Sequence, residues 1–272
     1  MLILLFACTA AAPSDTGDTA DTGVDTADTA PGETAETGDS DTAPPFAGLH
    51  LGLPVFTTVD DPTWADRAAA AAATGGWLVV DIAHGPGDGK DTAWATTLAA
   101  ARAAGVPVVG NVEINLAAAE AGNVEVQLGR WSAWYKLDGV FLAATGAADC
   151  EAAAADLAVY AKYADDHDAD GDAFVVVPVS AGGCEAMLSV ADVLLSDVPV
   201  GSLAAEPVPA WRSAWPTERF ALWVTGAAAG DVSPAMQTAV DSGFGTVYVT
   251  DGEAEASALP PYWVDELALI TG

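Results

Sequence analysis

Residues 77–113 read WLVVDIAHGPGDGKDTAWATTLAAARAAGVPVVGNVE, and they hold one complete strand–helix–strand unit. Trp77-Leu78-Val79-Val80 is a short apolar run rich in β-branched residues, the mark of a strand buried on both faces. A Gly- and Pro-rich loop follows. Asp91 then stands where a side-chain oxygen can cap a helix, and an Ala-rich stretch runs to Gly105, a residue suited to the left-handed turn beyond a helix end. Val106 to Val112 is the next strand. Two strands joined through a helix pair in parallel, and this unit sets the pattern for the rest of the chain.

Working outward, the same alternation recurs from Gly48 to the C-terminus. The strands expected are 48–56, 77–82, 106–112, 138–143, 173–179, 191–196, 219–225 and 246–250. Helix signals lie between them. Asp61-Pro62 opens the first helix and Gly75-Gly76 closes it. Asn123 caps a third, with Leu128, Trp131 and Trp134 at helical spacing, and Asp149 caps a fourth. A very short helix is expected near Glu185–Leu188. Ser233-Pro234 opens a later helix, and 259–270 forms the last. Eight strands alternating with helices predict an α/β fold: a single (β/α)8 TIM barrel over residues 46–272. An open doubly wound sheet is the alternative, but no Gly-x-Gly-x-x-Gly follows the first strand.

The first 45 residues differ in kind. Residues 1–8, MLILLFAC, carry an apolar run into Leu5-Phe6-Ala7-Cys8, which resembles a bacterial lipobox with Cys8 as the lipidated residue. No Lys or Arg precedes the run, and it is short for a signal segment. Residues 9–45 repeat Asp-Thr-Gly and Asp-Thr-Ala with almost no large apolar groups, so a disordered acidic linker is expected. As a flexible coil it would span about 30–35 Å. Calcium binding by the repeats is a weaker reading, because the spacing lacks a calcium-loop geometry. Thr9 after the cysteine resembles outer-membrane sorting. The expectation is therefore an exported, monomeric protein, lipid-anchored at the cell envelope or secreted.

The formal charge is −31. Nine of the 39 acids precede Pro45, whereas all eight Lys and Arg follow it; thirty acids against eight bases leave the barrel at −22. Such a field repels phosphate backbones and excludes nucleic acid as a natural partner.

In a TIM barrel, chemistry sits at the C-terminal ends of the strands. That rim holds Phe56 and Thr57; Asp81 and His84; Asn111, Glu113 and Asn115; Ala143 and Ala144; Pro178 and Ser180; Ser196 and Asp197; Thr225; and Thr250 and Asp251. The three histidines, His50, His84 and His167, form no spaced ligand set, so neither a metal nor a cofactor is expected. With Cys8 set aside, Cys150 and Cys184 fall in the loops after strands four and five. In an oxidising compartment they are expected to form a disulfide. No Gly-x-Ser-x-Gly turn accompanies a strand.

Several segments resemble spherulation-specific family 4, the spherulin-4-like proteins. They are Gly48-Leu49 with Pro54-Val55-Phe56, Gly85-Pro86-Gly87, Ala103-Ala104-Gly105-Val106, Ala133-Trp134-Tyr135 before Leu137-Asp138-Gly139-Val140-Phe141, Ala191-Asp192-Val193, Tyr248-Val249-Thr250-Asp251 and Leu259-Pro260-Pro261-Tyr262-Trp263. The resemblance implies a glycoside-hydrolase-related barrel, extracellular action on amino-sugar polysaccharides such as galactosaminogalactan, and no metal. It also marks departures. Ala143 and Ala144 stand where the family carries an Asp-Glu pair. Val198, beside Asp197, stands where a Glu is frequent. Asp81 replaces an Asn, Val177-Pro178 an Asn-Pro, and Glu113 an Asp. Glycoside hydrolysis needs two carboxyl groups, and Ala supplies none. The expectation is a polysaccharide-binding barrel without the family's hydrolysis. The residues expected to contact a glycan are His84, Asn111, Asn115, Trp223, Tyr248 and Asp251. Asp81, Glu113 and Asp197 are the acids through which a relocated catalytic site would act. A structural envelope or spore-coat protein is the third reading.

Overall fold

The computed structural model describes residues 43–116, 121–145, 149–168, 170–179, 183–253 and 258–272. The lipobox with Cys8, nearly all of the 9–45 repeat segment and Ser180 lie outside these residues. Eight parallel strands close in sequence order into a barrel. They are β1 His50–Val55, β2 Trp77–Val80, β3 Val108–Asn115, β4 Gly139–Thr145, β5 Phe174–Val179, β6 Val193–Pro199, β7 Phe220–Thr225 and β8 Thr246–Val249. β1 pairs with β8 through His50–Thr246 and Leu51–Val247, which seals the barrel.

The interior is packed with aromatic rings. Trp77 of β2 meets Phe174 of β5 at 6.1 Å between ring centroids. Phe141 of β4 stacks on Trp223 of β7 at 5.9 Å. Neither pair of strands is adjacent, so these contacts cross the barrel and identify the inward face of each strand. Gly52 on β1 makes room for them: a Cβ there would come within 2.5 Å of the Trp77 ring.

Among the described residues, six α-helices surround the barrel: α1 Trp64–Thr74, α2 Thr92–Ala103, α3 Ala121–Arg130, α4 Cys150–His167, α5 Val232–Asp241 and α6 Trp263–Thr271. Asp91 caps α2 by accepting from the amides of Ala93 and Trp94, and Asp149 caps α4 through Ala152. Two expected caps move. Asp61 accepts from Thr63, which is itself the N-cap of α1, and Asn123 lies inside α3 rather than at its start. The final helix begins at Trp263 rather than Leu259, because Leu259 and Pro260 each precede a proline and are disfavoured in the helical region.

The strict strand–helix alternation also relaxes. β5 leads to β6 through a 3-10 turn, Glu185–Ser189, and β6 leads to β7 through three more, Val200–Ala205, Ala210–Ala214 and Thr217–Arg219. Pro199, Pro207, Pro209 and Pro216 break this stretch too often for an α-helix. Its cover over the barrel comes from a buried Arg212, whose guanidinium lies 4.6 Å from the Phe220 ring and 4.2 Å from that of Phe244.

At the N-terminal face, acidic residues stitch neighbouring strands. Asp138, just before β4, accepts from the Val108 amide at 2.9 Å and from Arg102 Nε at 3.0 Å. Asp192, just before β6, accepts from the Val175 amide at 2.8 Å. Each carboxylate satisfies a strand-end donor that would otherwise lack a partner. No helix among the described residues is long and apolar enough to cross a membrane.

Candidate functional site

The C-terminal mouth gathers its polar groups on β2 and β3. Asp81 follows β2 directly. Its Oδ1 accepts from the Gly85 amide at 2.7 Å, and its Oδ2 accepts from Asn111 Nδ2 at 2.9 Å. The first bond folds the loop back on the strand. Gly85 is needed there: its φ is 121°, and a Cβ would lie 2.6 Å from Gln127 Oε1. His84 takes a left-handed φ of 53°, which brings its Nδ1 to 3.5 Å from Glu113 Oε1. Both side chains are largely exposed, at 89% and 61%, so this pair adds little stability.

The loop beyond is pinned from α3 and the wide turn after it, Trp131–Tyr135. Arg130 donates to the Gly87 carbonyl at 2.9 Å. The Tyr135 hydroxyl donates to Pro86 O at 3.4 Å and accepts from the Asp91 amide at 3.1 Å. Trp131 Nε1 donates to the Asn111 carbonyl at 2.9 Å, and its ring lies so close to β3 that Gly110 has no space for a Cβ. The platform under Asp81, His84 and Glu113 is therefore held from several sides.

β3 runs three residues beyond its expected end, to Asn115, which places Glu113 and Asn115 on the strand itself. Glu113 and Ala143 are register partners, as are Asn115 and Thr145. Ala143 shares the inward face with Phe141, while Ala144 turns outward. Ala144 lines a cleft of about 480 Å³ with Ala153, Leu157, Val177 and Met187. Cys150 borders this cleft, and its disulfide to Cys184 ties the start of α4 to the turn after β5.

The expected site residues divide into groups. Asp81, His84 and Glu113 come together: one ligand-type atom from each lies within 4.8 Å of the other two. Asn111 lies beneath them, only 4% exposed. Asp197 is exposed on β6, in register with Trp223 and several strands away around the mouth. Asp251 is exposed just past β8. Trp223 and Tyr248 are corrected. They are 2% and 1% exposed and belong to the core, with Trp223 Nε1 bonded to Gly52 O at 2.6 Å, so neither offers a face to a sugar ring. Phe56, just past β1, is a half-buried aromatic packed against the core at this end of the barrel. The grouping of His84 with both acids was missed in the sequence. A histidine three residues after a strand-end aspartate is its only trace.

The family model for spherulation-specific family 4 matches residues 51–270. Among solved structures, Sph3 from Aspergillus clavatus, in complex with GalNAc, superposes with a TM-score of 0.64 at 15% identity, covering 83% of this chain and 98% of that one. A glycosyl hydrolase family 2 member from Bacteroides cellulosilyticus gives a TM-score of 0.48 at 12% identity, covering 82% and 32%. No curated protein matches the sequence. With four-fifths of its length matched and a closed eight-stranded barrel beneath the match, the chain belongs to spherulation-specific family 4.

Proposed function

We propose that the barrel binds an amino-sugar polysaccharide at its C-terminal mouth and does not hydrolyse it. One observation carries this reading: Glu113 faces Ala143 on the neighbouring strand, where a second carboxylate would be needed. The polar groups that remain suit sugar hydroxyls. Asp81, Glu113, Asn115 and His84 supply donors and acceptors on one side of the mouth, Asp197 supplies acceptors on the other, and Phe56 supplies an apolar face. That the Aspergillus relative carries GalNAc supports an N-acetylated amino sugar as the recognised unit.

A hydrolase with relocated acids is the second reading, favoured by the closeness of the Asp81 and Glu113 carboxylates. Retaining glycosidases hold theirs about 5–5.5 Å apart. Both Asp81 oxygens already accept hydrogen bonds, from Gly85 and Asn111. That engagement suits Asp81 to the part of acceptor or nucleophile, so the proton donor of such a pair would have to be Glu113.

The test is incubation with galactosaminogalactan and related amino-sugar polymers, with Asp81→Asn/Glu113→Gln as control. Retention on a polymer without new reducing ends is the expected result. Turnover that vanishes in the control would place the chemistry on β2 and β3. Absence of both retention and turnover would favour a structural envelope role.

We further propose that Cys8 is lipidated and that residues 9–45 hold the barrel away from an envelope membrane. Metabolic labelling with a fatty acid checks this: Cys8→Ala should lose the label and release the protein from the membrane fraction.

A further inference from the structure

We propose that Asp81, His84 and Glu113 form a binding site for a divalent transition-metal cation of the zinc or manganese class. The three ligand-type atoms lie within 4.8 Å of one another. Carboxylate oxygens and imidazole nitrogens bind zinc at about 2.0–2.2 Å, which sets neighbouring ligands about 3–4 Å apart. Small rotations of the two exposed side chains, His84 and Glu113, close that difference. Asp81 needs no such movement, because Gly85 and Asn111 already fix its orientation. Outer partners of this kind are what metal-ligating carboxylates ordinarily have.

A second observation is independent of the three ligands. Asn111 is 4% exposed, and its Oδ1 is buried with no hydrogen-bond partner. Its side chain points into the cluster: it bonds Asp81 laterally and lies two residues below Glu113 on the same strand face. A buried carbonyl oxygen left without a partner is unfavourable. A cation bound at Asp81 would bring positive charge close to this amide group, whose Nδ2 already contacts Asp81. Elsewhere in the mouth no Lys or Arg side chain reaches the three ligands among the described ion pairs. The barrel's net negative charge further concentrates cations at this surface. One imidazole with two carboxylates favours a borderline metal over calcium or magnesium, which take oxygen ligands almost exclusively.

The experiment is calorimetric titration of the full chain with zinc chloride, and separately with manganese chloride, without glycan. Its outcome is therefore independent of polysaccharide binding. One saturable site is expected, weakened at least tenfold by His84→Ala and by Asp81→Asn. His84 is exposed, so its substitution tests the site without endangering the fold. Titration without a saturable phase, or a saturable phase unchanged in the His84→Ala protein, would overturn the proposal. The second result would assign the binding to the acidic residues elsewhere in the chain.

Discussion

Glu113 on β3 and Ala143 on β4 are register partners, so a carboxylate stands beside a methyl group on the inner face of the mouth. Neighbouring strands lie about 4.8 Å apart. An acid introduced as Ala143→Glu would place like charges side by side and fill space open to a ligand. Retention on an amino-sugar polymer is expected to fall at least tenfold, about 1.4 kcal/mol, while the thermal midpoint changes little. Affinity electrophoresis in polymer-containing gels measures the first, and a melting curve the second.

The Cys150–Cys184 disulfide closes a separation of 34 residues. A loop of that size is worth about 3–4 kcal/mol through the entropy it removes from the unfolded chain. Cys150→Ser/Cys184→Ser should therefore lower the urea midpoint markedly. A midpoint equal to that of the wild type would show that the two loops are held by packing alone.

Glu266 on α6 is fully buried. It accepts from the Val249 amide at 2.9 Å, and burial pushes its carboxyl up to about 8 from the ordinary 4.5. Below pH 4.5 the group is neutral in both the folded and the unfolded chain. Between there and about pH 8 the unfolded chain releases the proton while the folded chain keeps it, so the group's contribution to stability falls as pH rises. Every pH unit inside that window removes about 1.4 kcal/mol, so the loss across it is a few kcal/mol. Glu266→Gln lacks this titration. Denaturation at about pH 5 and about pH 8 should show the wild type losing stability relative to the variant; equal losses in both would refute the assignment.

Trp223 tests the division between core and site. Trp223→Phe keeps a ring beside Phe141 but loses the bond to Gly52 O. Stability should drop by about 1–3 kcal/mol, with glycan retention unchanged below the melting temperature.

The barrel was legible because its strands are short β-branched runs and because Asp91 and Asp149 stand where helix caps belong. The prolines from Pro199 to Pro216 carried the signal of a broken helix as well, but the expected alternation of strands and helices passed over it. Depth was not readable. Alternation assigns Trp223 to the inner face, but only the pairing across the barrel with Phe141 shows that it lies below the mouth. The approach of His84 to Glu113 depends on a left-handed backbone at a non-glycine residue, a conformation that composition does not announce.

The two ring pairs that fill the barrel, Trp77 with Phe174 and Phe141 with Trp223, act as a floor. No glycan end can thread inward past Phe141 and Trp223. A polymer recognised here would rest above this floor, and one lying across the opening would be gripped along its length. Such a grip needs no free terminus. One long strand could then carry many copies of this protein side by side, spaced by the width of the barrel rather than by any register in the sugar.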